Sequence, residues 1–360
     1  MPDPAPATPA FEPLSLVGTT LDGRYELVAH LATGGMGAVF RARHVHLRKD
    51  VAVKVLRPDL TSSAEIVERF RREAEIASAL EHDNIVRVTD FGRTPEGYLF
   101  LVMELLTGES LFDRLRREGF LPPEEAVPIL WQVCAALEAA HALGVVHRDL
   151  KPENVFLARS GSGREVTKIL DFGIAKIADP SSVSATQSGI VVGTPEYLSP
   201  EQAMGIAVDA RADLYAVGLI AWRTLAGRHP FKADEPRALL MMQATRPVPP
   251  LTDNRPDLSA YPALVAAVAR ACAKEPAERQ QSAAALKDDL AAALGPAFAV
   301  PTPATPTPAS PALAPPSTSP TPSPLPAFVE RVAPSWGPGR NTVEVPPAVP
   351  PPPATRAARA

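Results

Sequence analysis

Runs in which apolar and polar positions alternate fill the first third of the foldable chain. The segments RYELVAHLAT, AVFRARHV, DVAVKVLRP, NIVRVTDFG and YLFLVMELL are rich in branched and aromatic residues and bounded by turn formers, and each predicts a strand. One stretch among them changes period. In SSAEIVERFRREAEIASAL, Ser62 precedes Glu65 in a capping-box pattern, and Ile66, Phe70, Ala77 and Leu80 recur at steps of four, seven and three, which predicts a helix. Glu73 falls on that same apolar stripe. A carboxylate turned toward a core needs a cationic partner, because an unpaired charge at low dielectric is costly. Beyond Met103 the apolar positions recur at helical spacing, in EEAVPILWQVCAALEAAHALG, DARADLYAVGLIAWRTLAG, YPALVAAVARACAKE and SAAALKDDLAAALG. A small strand-rich half followed by a larger helical half predicts two lobes, with room for a ligand between them. No internal repeat is present.

Proline marks the ends of the foldable region. Of 42 prolines, 20 lie between Pro296 and Pro353, in tracts that favour extended polyproline and build no packed core. Residues 1–20 and 295–360 are therefore expected to be disordered. The folded domain is expected over 21–294, with a small lobe at 21–106 and a large lobe at 107–294. Within that domain the apolar content, 46% of the whole chain, is ample for a core. A net charge of -4 and a pI near 6.0 argue against nucleic acid as a partner. Cys134 and Cys272 sit in apolar helical stretches without metal-ligand spacing and read as core thiols of a reducing compartment. Charges interrupt every apolar run short of the ~20 residues of a membrane span, and MPDPAPATPAFEP has neither the basic nor the apolar region of a secretion signal. The expected location is the cytoplasm.

Four groups carry candidate chemistry. Gly34, Gly35 and Gly37, in a turn between two strands, would let backbone amides approach a phosphate; an ordinary glycine hairpin is the alternative. Lys54, enclosed by branched residues in VAVKV, is either a surface lysine of a strand or a buried phosphate ligand, for which Glu73 would supply the partner. In VVHRDLKPENVFLA, Asp149 can take a proton from a hydroxyl, Lys151 can neutralise a moving phosphoryl group, and Asn154 offers an oxygen to Mg²⁺. In KILDFGIAK, Asp171 ends a strand-like segment and can hold a second or shared Mg²⁺. Taken singly, each acid is more often a cap or turn residue; taken together, four coincidences would be required.

The order GGMGAVF, VAVK, FRREAEI, HRDLKPEN, DFG and GTPEYLSPE resembles the protein-kinase signature set, and in detail the bacterial eukaryotic-like Ser/Thr protein kinases. HRDLKPEN followed 17 residues later by DFG makes the resemblance highly specific. It implies an α+β, two-lobed protein-kinase-like fold: a small antiparallel β-sheet N-lobe with one helix, and a larger, mainly helical C-lobe. It implies ATP and Mg²⁺ as cofactors and Ser/Thr-bearing proteins as substrates. Position by position, Lys54 would pair with Glu73 and hold the α- and β-phosphates, while Ala32, Thr33, Gly34, Gly35, Met36 and Gly37 form the loop that covers them. Val39, Ala52, Met103, Glu104, Leu106 and Phe156 would receive the nucleotide, with Met103 as gatekeeper and the backbones of Glu104 and Leu106 at the adenine edge. Asp149 would be the base, Lys151 the screen for the γ-phosphate, and Asn154 and Asp171 the Mg²⁺ ligands. Lys151 and Thr194 resemble the Ser/Thr branch. Asp213 would brace the catalytic loop, and Glu201 would pair internally with Arg279.

Two positions depart from the family pattern. Ala32 replaces the loop's first glycine, and Ser199 stands where alanine usually precedes PE. Neither is expected to abolish activity. The hydroxyl-rich stretch between Gly173 and Ser199 suggests autophosphorylation at Thr186 and Ser188, with Ser184 a weaker choice and Arg148 placed to meet the phosphate. The competing readings are a pseudokinase scaffold and a kinase of small molecules. The Pro-rich tail reads first as flexible spacer, though Phe328, Val329, Val332 and Trp336 offer a short docking segment for a partner.

Overall fold

The structure, a computed structural model, describes residues 12–35, 37–61, 64–160, 163–171, 195–295 and 298. A six-stranded antiparallel sheet begins it: β1 (Thr20–Leu21), β2 (Tyr25–Thr33), β3 (Gly37–His44), β4 (Asp50–Leu56), β5 (Val88–Arg93) and β6 (Leu99–Glu104), in the order β1-β2-β3-β4-β6-β5. The five predicted strands all form, and the alternation along them sorts residues onto two faces. Leu27, Ala38, Phe40, Val53, Val55, Phe100 and Val102 close one face with Tyr25. Ala52, Leu56, Leu99, Leu101 and Met103 close the other against Phe70 and Ala74 of helix α1 (Ala64–Ala79). Phe70 and Leu80 of the expected stripe are buried, and Ala74 joins them.

The N-terminal boundary needs correction. Residues 12–20 are part of the fold rather than of a disordered segment ending at residue 20: Pro13–Leu16 forms a 3₁₀ turn, and Leu16 is buried in the same cluster as Leu21 and Tyr25. A single apolar residue among prolines carries no periodicity, so composition alone assigned it to the tail. At the other end, Phe298 lies beyond the expected boundary at 295 yet packs on Trp131, ring centroids 6.0 Å apart, against the large lobe's core.

The large lobe holds α2 (Leu111–Glu118), α3 (Pro123–Ala142), α4 (Pro200–Met204), α5 (Arg211–Ala226), α6 (Pro236–Thr245), α7 (Leu251–Asn254), α8 (Pro262–Ala271) and α9 (Ala283–Leu294). Helix α5 is apolar almost all round and is buried along nearly its whole length, as expected of a central core helix. A second sheet, β7 (Gly108–Ser110), β8 (Val155–Arg159) and β9 (Glu165–Ile169), lies in this lobe. Its strands of three and five residues are too short to declare a period, which is why the sequence suggested helices almost throughout. The two lobes are stitched at its edge: Ile169 N donates to Asn84 O at 2.8 Å and Val86 N to Ile169 O at 3.0 Å. Cys134 and Cys272 are buried free thiols. Among the described residues no helix is long and apolar enough to cross a membrane.

Candidate active site

Glycine serves two different purposes in the turn between β2 and β3. Gly37 pairs with Leu56, and a Cβ there would stand 2.1 Å from the Val55 carbonyl oxygen, so the sheet itself demands glycine. Around Gly35 a Cβ would meet nothing, and at Gly34 only the Gly37 oxygen at 3.9 Å. The protein does not need those two to be bare; a ligand approaching their backbone would. Ala32 and Thr33 are the exposed end of β2, and Met36 lies outside the described residues.

Val53 and Val55 point into one face of the sheet, so Lys54 between them turns to the other. Val39, Ala52, Met103 and Leu106 share one apolar cluster on that side. Glu104, at the end of β6, binds Lys168 Nζ at 2.7 Å and accepts Arg87 N at 2.8 Å. Phe156 lies in the large lobe: Val155 and Leu157 enter the core there, so half-buried Phe156 faces the opposite way. Lys54 Nζ sits 3.0 Å from Asp171 Oδ1. Glu73 lies on α1, but its side chain is outside the described residues, as are Phe172 to Thr194 with the expected phosphorylation positions Ser184, Thr186 and Ser188.

The loop carrying Asp149 is held from below. Asp213, in the first turn of α5 and 1% exposed, accepts Arg148 N at 2.9 Å, His147 N at 2.8 Å and His141 Nε2 at 2.8 Å. Gln202 Nε2 donates to the Arg148 carbonyl at 2.7 Å. Arg148 is thereby fixed at both its peptide groups in the left-handed region, φ 63°, which a non-glycine residue avoids unless its surroundings enforce it. His147 is fully buried, and burial pushes its imidazole below the usual histidine value. The neutral ring accepts Asp149 N at Nδ1 (3.3 Å) and donates from Nε2 to the Leu170 carbonyl (3.2 Å), so it links the two candidate acids' loops.

Lys151 Nζ stands 3.6 Å from Asp149 Oδ2. Asn154 Nδ2 donates to the Asp149 carbonyl at 2.9 Å, which commits the amide nitrogen and leaves its oxygen for another partner. Asp171, at φ 40° and with its side chain 41% exposed, is the second oxygen donor. Among the described residues no group of three acidic, His or Cys side chains forms a cation cage. Two oxygen donors suit a cation whose remaining ligands are phosphate oxygens and water, the usual mode of Mg²⁺.

The expected internal pair is present. Glu201 accepts Arg279 in bidentate fashion, both contacts at 2.8 Å. Ser199 caps α4: its hydroxyl accepts Gln202 N while the Gln202 side chain accepts Ser199 N, a capping box that accounts for this departure from the family pattern. Gln202, His141 and Lys168 were not singled out from the sequence. Only Gln202 had a local signal there, the spacing Ser199-x-x-Gln202.

Residues 25–290 match the protein kinase domain model, and the chain belongs to the protein kinase family. Among curated proteins it is similar to the serine/threonine-protein kinases pkn2 of Myxococcus xanthus (47% identity; 76% of this chain, 33% of the relative) and pkn3 of the same organism (45%; 77% and 51%). PknB of Mycolicibacterium smegmatis is 42% identical, covering 75% of this chain and 43% of its own. These place the chain in the bacterial eukaryotic-like Ser/Thr branch. It spans a third to about half of these relatives' lengths. Among solved structures, the PknI kinase domain of Mycobacterium tuberculosis superposes with a TM-score of 0.61 at 32% identity, covering 77% of this chain and 98% of that one. The two-lobed α+β expectation therefore holds.

Proposed function

We propose that the chain is a Ser/Thr protein kinase that moves the γ-phosphoryl group of ATP, with Mg²⁺, to serine and threonine hydroxyls of proteins. The observation that carries this is that the pair Lys54–Asp171 and the pair Asp149–Lys151 lie on two loops joined to each other, Leu170 N donating to the Asn154 carbonyl at 2.8 Å and His147 Nε2 to the Leu170 carbonyl at 3.2 Å. Gly34 and Gly35 leave room for phosphates, and Val39, Ala52, Met103, Leu106 and Phe156 form the apolar lining for the base. Lys54 donates to phosphate oxygens. Asp149 orients the substrate hydroxyl and accepts its proton as the new oxygen–phosphorus bond forms and the bond to the ADP oxygen breaks; Lys151 offsets negative charge on the transferring group. Held by Asn154 and Asp171, the divalent cation would supply further charge neutralisation.

Phosphorylation at Thr186 and Ser188 is supported by Arg148, whose Nε is buried with no hydrogen-bond partner among the described residues. A folded kinase unit over about 12–298, a tail that is first of all a flexible spacer and carries in Phe328 to Trp336 a candidate docking segment, and a cytoplasmic setting that suits two buried unpaired thiols complete the reading. Incubation with labelled ATP and casein, beside Asp149→Asn, tests it: we expect loss of label by about 10²–10⁴-fold in the variant. Equal labelling in both tubes would overturn the assignment of the base. Mass spectrometry after incubation with Mg-ATP, finding no phosphate on 181–194, would remove the autophosphorylation sites.

A further inference from the structure

Behind the turn Pro195–Tyr197 runs a buried polar chain that none of this chemistry uses. Gln243, on α6 and 1% exposed, donates from Nε2 to the Glu196 carbonyl at 2.6 Å. Its Oε1 accepts the Tyr215 hydroxyl at 2.8 Å, and that oxygen accepts Lys274 Nζ at 2.7 Å. Lys274 also donates to the Gln243 carbonyl at 2.8 Å and lies over the rings of Tyr215 and Phe231, 5.1 and 5.0 Å from their centroids. Helices α5 and α6, the segment after α8 and the turn are thus tied by four hydrogen bonds, three of them made by Gln243.

The chain has a direction. An ammonium donates and cannot accept, so the Tyr215 oxygen receives from Lys274 and must send its own proton onward to Gln243 Oε1. That fixes which end of the Gln243 amide faces the tyrosine and presents the NH₂ to the Glu196 carbonyl, which needs a donor. Reversing the amide would set acceptor against acceptor in the Glu196 contact and donor against donor in the other. Burial pulls the Lys274 ammonium down to about 8, which leaves it charged at neutral pH. The turn in question is not remote from the chemistry: Tyr197 and Leu198 line one pocket together with Arg148, Asp149 and Lys151.

We infer that Gln243, oriented through Tyr215 by Lys274, is a positioning residue for the protein substrate: it fixes the Glu196 carbonyl and so the wall along which a hydroxyl-bearing segment reaches Asp149. The inference rests on the kinase reading. In the full chain, Tyr215→Phe, Gln243→Leu and Lys274→Met are compared with wild type for KM toward casein and KM toward ATP, measured separately, with a thermal melt of each. Loss of one hydrogen bond is expected to raise KM for casein about fivefold, while KM for ATP stays within about twofold. Tyr215→Phe keeps the ring and loses one oxygen, so it decides the matter should either of the others fail to fold. A folded Tyr215→Phe with unaltered KM for casein overturns the inference, as does a KM for ATP that rises in step. Wild-type protein that transfers no label to casein defeats the kinase reading itself, an outcome distinct from any change confined to KM.

Discussion

Two ion pairs in this molecule use the same charges in opposite ways. Arg279 and Glu201 are 0% and 4% exposed, and the guanidinium spends all its donors: two on the carboxylate and the others on the carbonyls of Ala273, Arg211 and Lys274. Lys54 and Asp171 meet at 3.0 Å, with 41% of the acid's side chain exposed. The first pair is saturated, so nothing can be added to it without breaking it. The second leaves part of its carboxylate open to solvent. The saturated pair is a strut, and the open one belongs to the candidate site.

Breaking the strut should have the largest effect on stability. Glu201→Ala leaves a buried guanidinium uncompensated and should cost about 3–5 kcal/mol in urea unfolding; a loss below about 1 kcal/mol would erase the distinction drawn between the pairs. Breaking the site should do the reverse. Lys54→Met should lower kcat/KM by about 10²–10³-fold, as expected for removal of one charged donor, with an unfolding midpoint close to wild type. A third measurement concerns pH. Lys274 titrates near 8 in the fold against an ordinary 10.5, so between those values the unfolded chain holds more protons and stability should rise with pH. Lys274→Met should flatten that rise in urea melts taken across the window. The smallest effect is at the cap beside the strut: Ser199→Ala removes the α4 capping box and should cost about 1 kcal/mol without altering KM for ATP.

The legible parts of the site were those written in local spacing. Asp149, Lys151, Asn154 and Asp171 occur in two short motifs, and their expected roles follow from residue type; the brace from Asp213 was implied by the family resemblance, and the side chain of Glu73 lies outside the described residues. Gly37 could be read either as a phosphate glycine or as part of an ordinary hairpin, and the structure supplies a steric reason for it, the Val55 carbonyl oxygen 2.1 Å from where a Cβ would be. The parts that could not be read join residues far apart with no shared period. Lys274 reaches Tyr215 across 59 positions and Glu104 meets Lys168 across 64, and neither lysine differs locally from a surface one. The short strands β7 to β9 and the lone buried Leu16 fall below the length at which periodicity can be seen.

The carboxylate of Asp213 carries one more consequence. It grips two successive peptide nitrogens of the loop bearing Asp149 and is itself rooted in α5, the most deeply enclosed helix of the large lobe. The working loop has therefore borrowed the rigidity of the interior. Warming should not slacken it ahead of the rest, and phosphate transfer should fade at the temperature where the large lobe melts rather than several degrees below it.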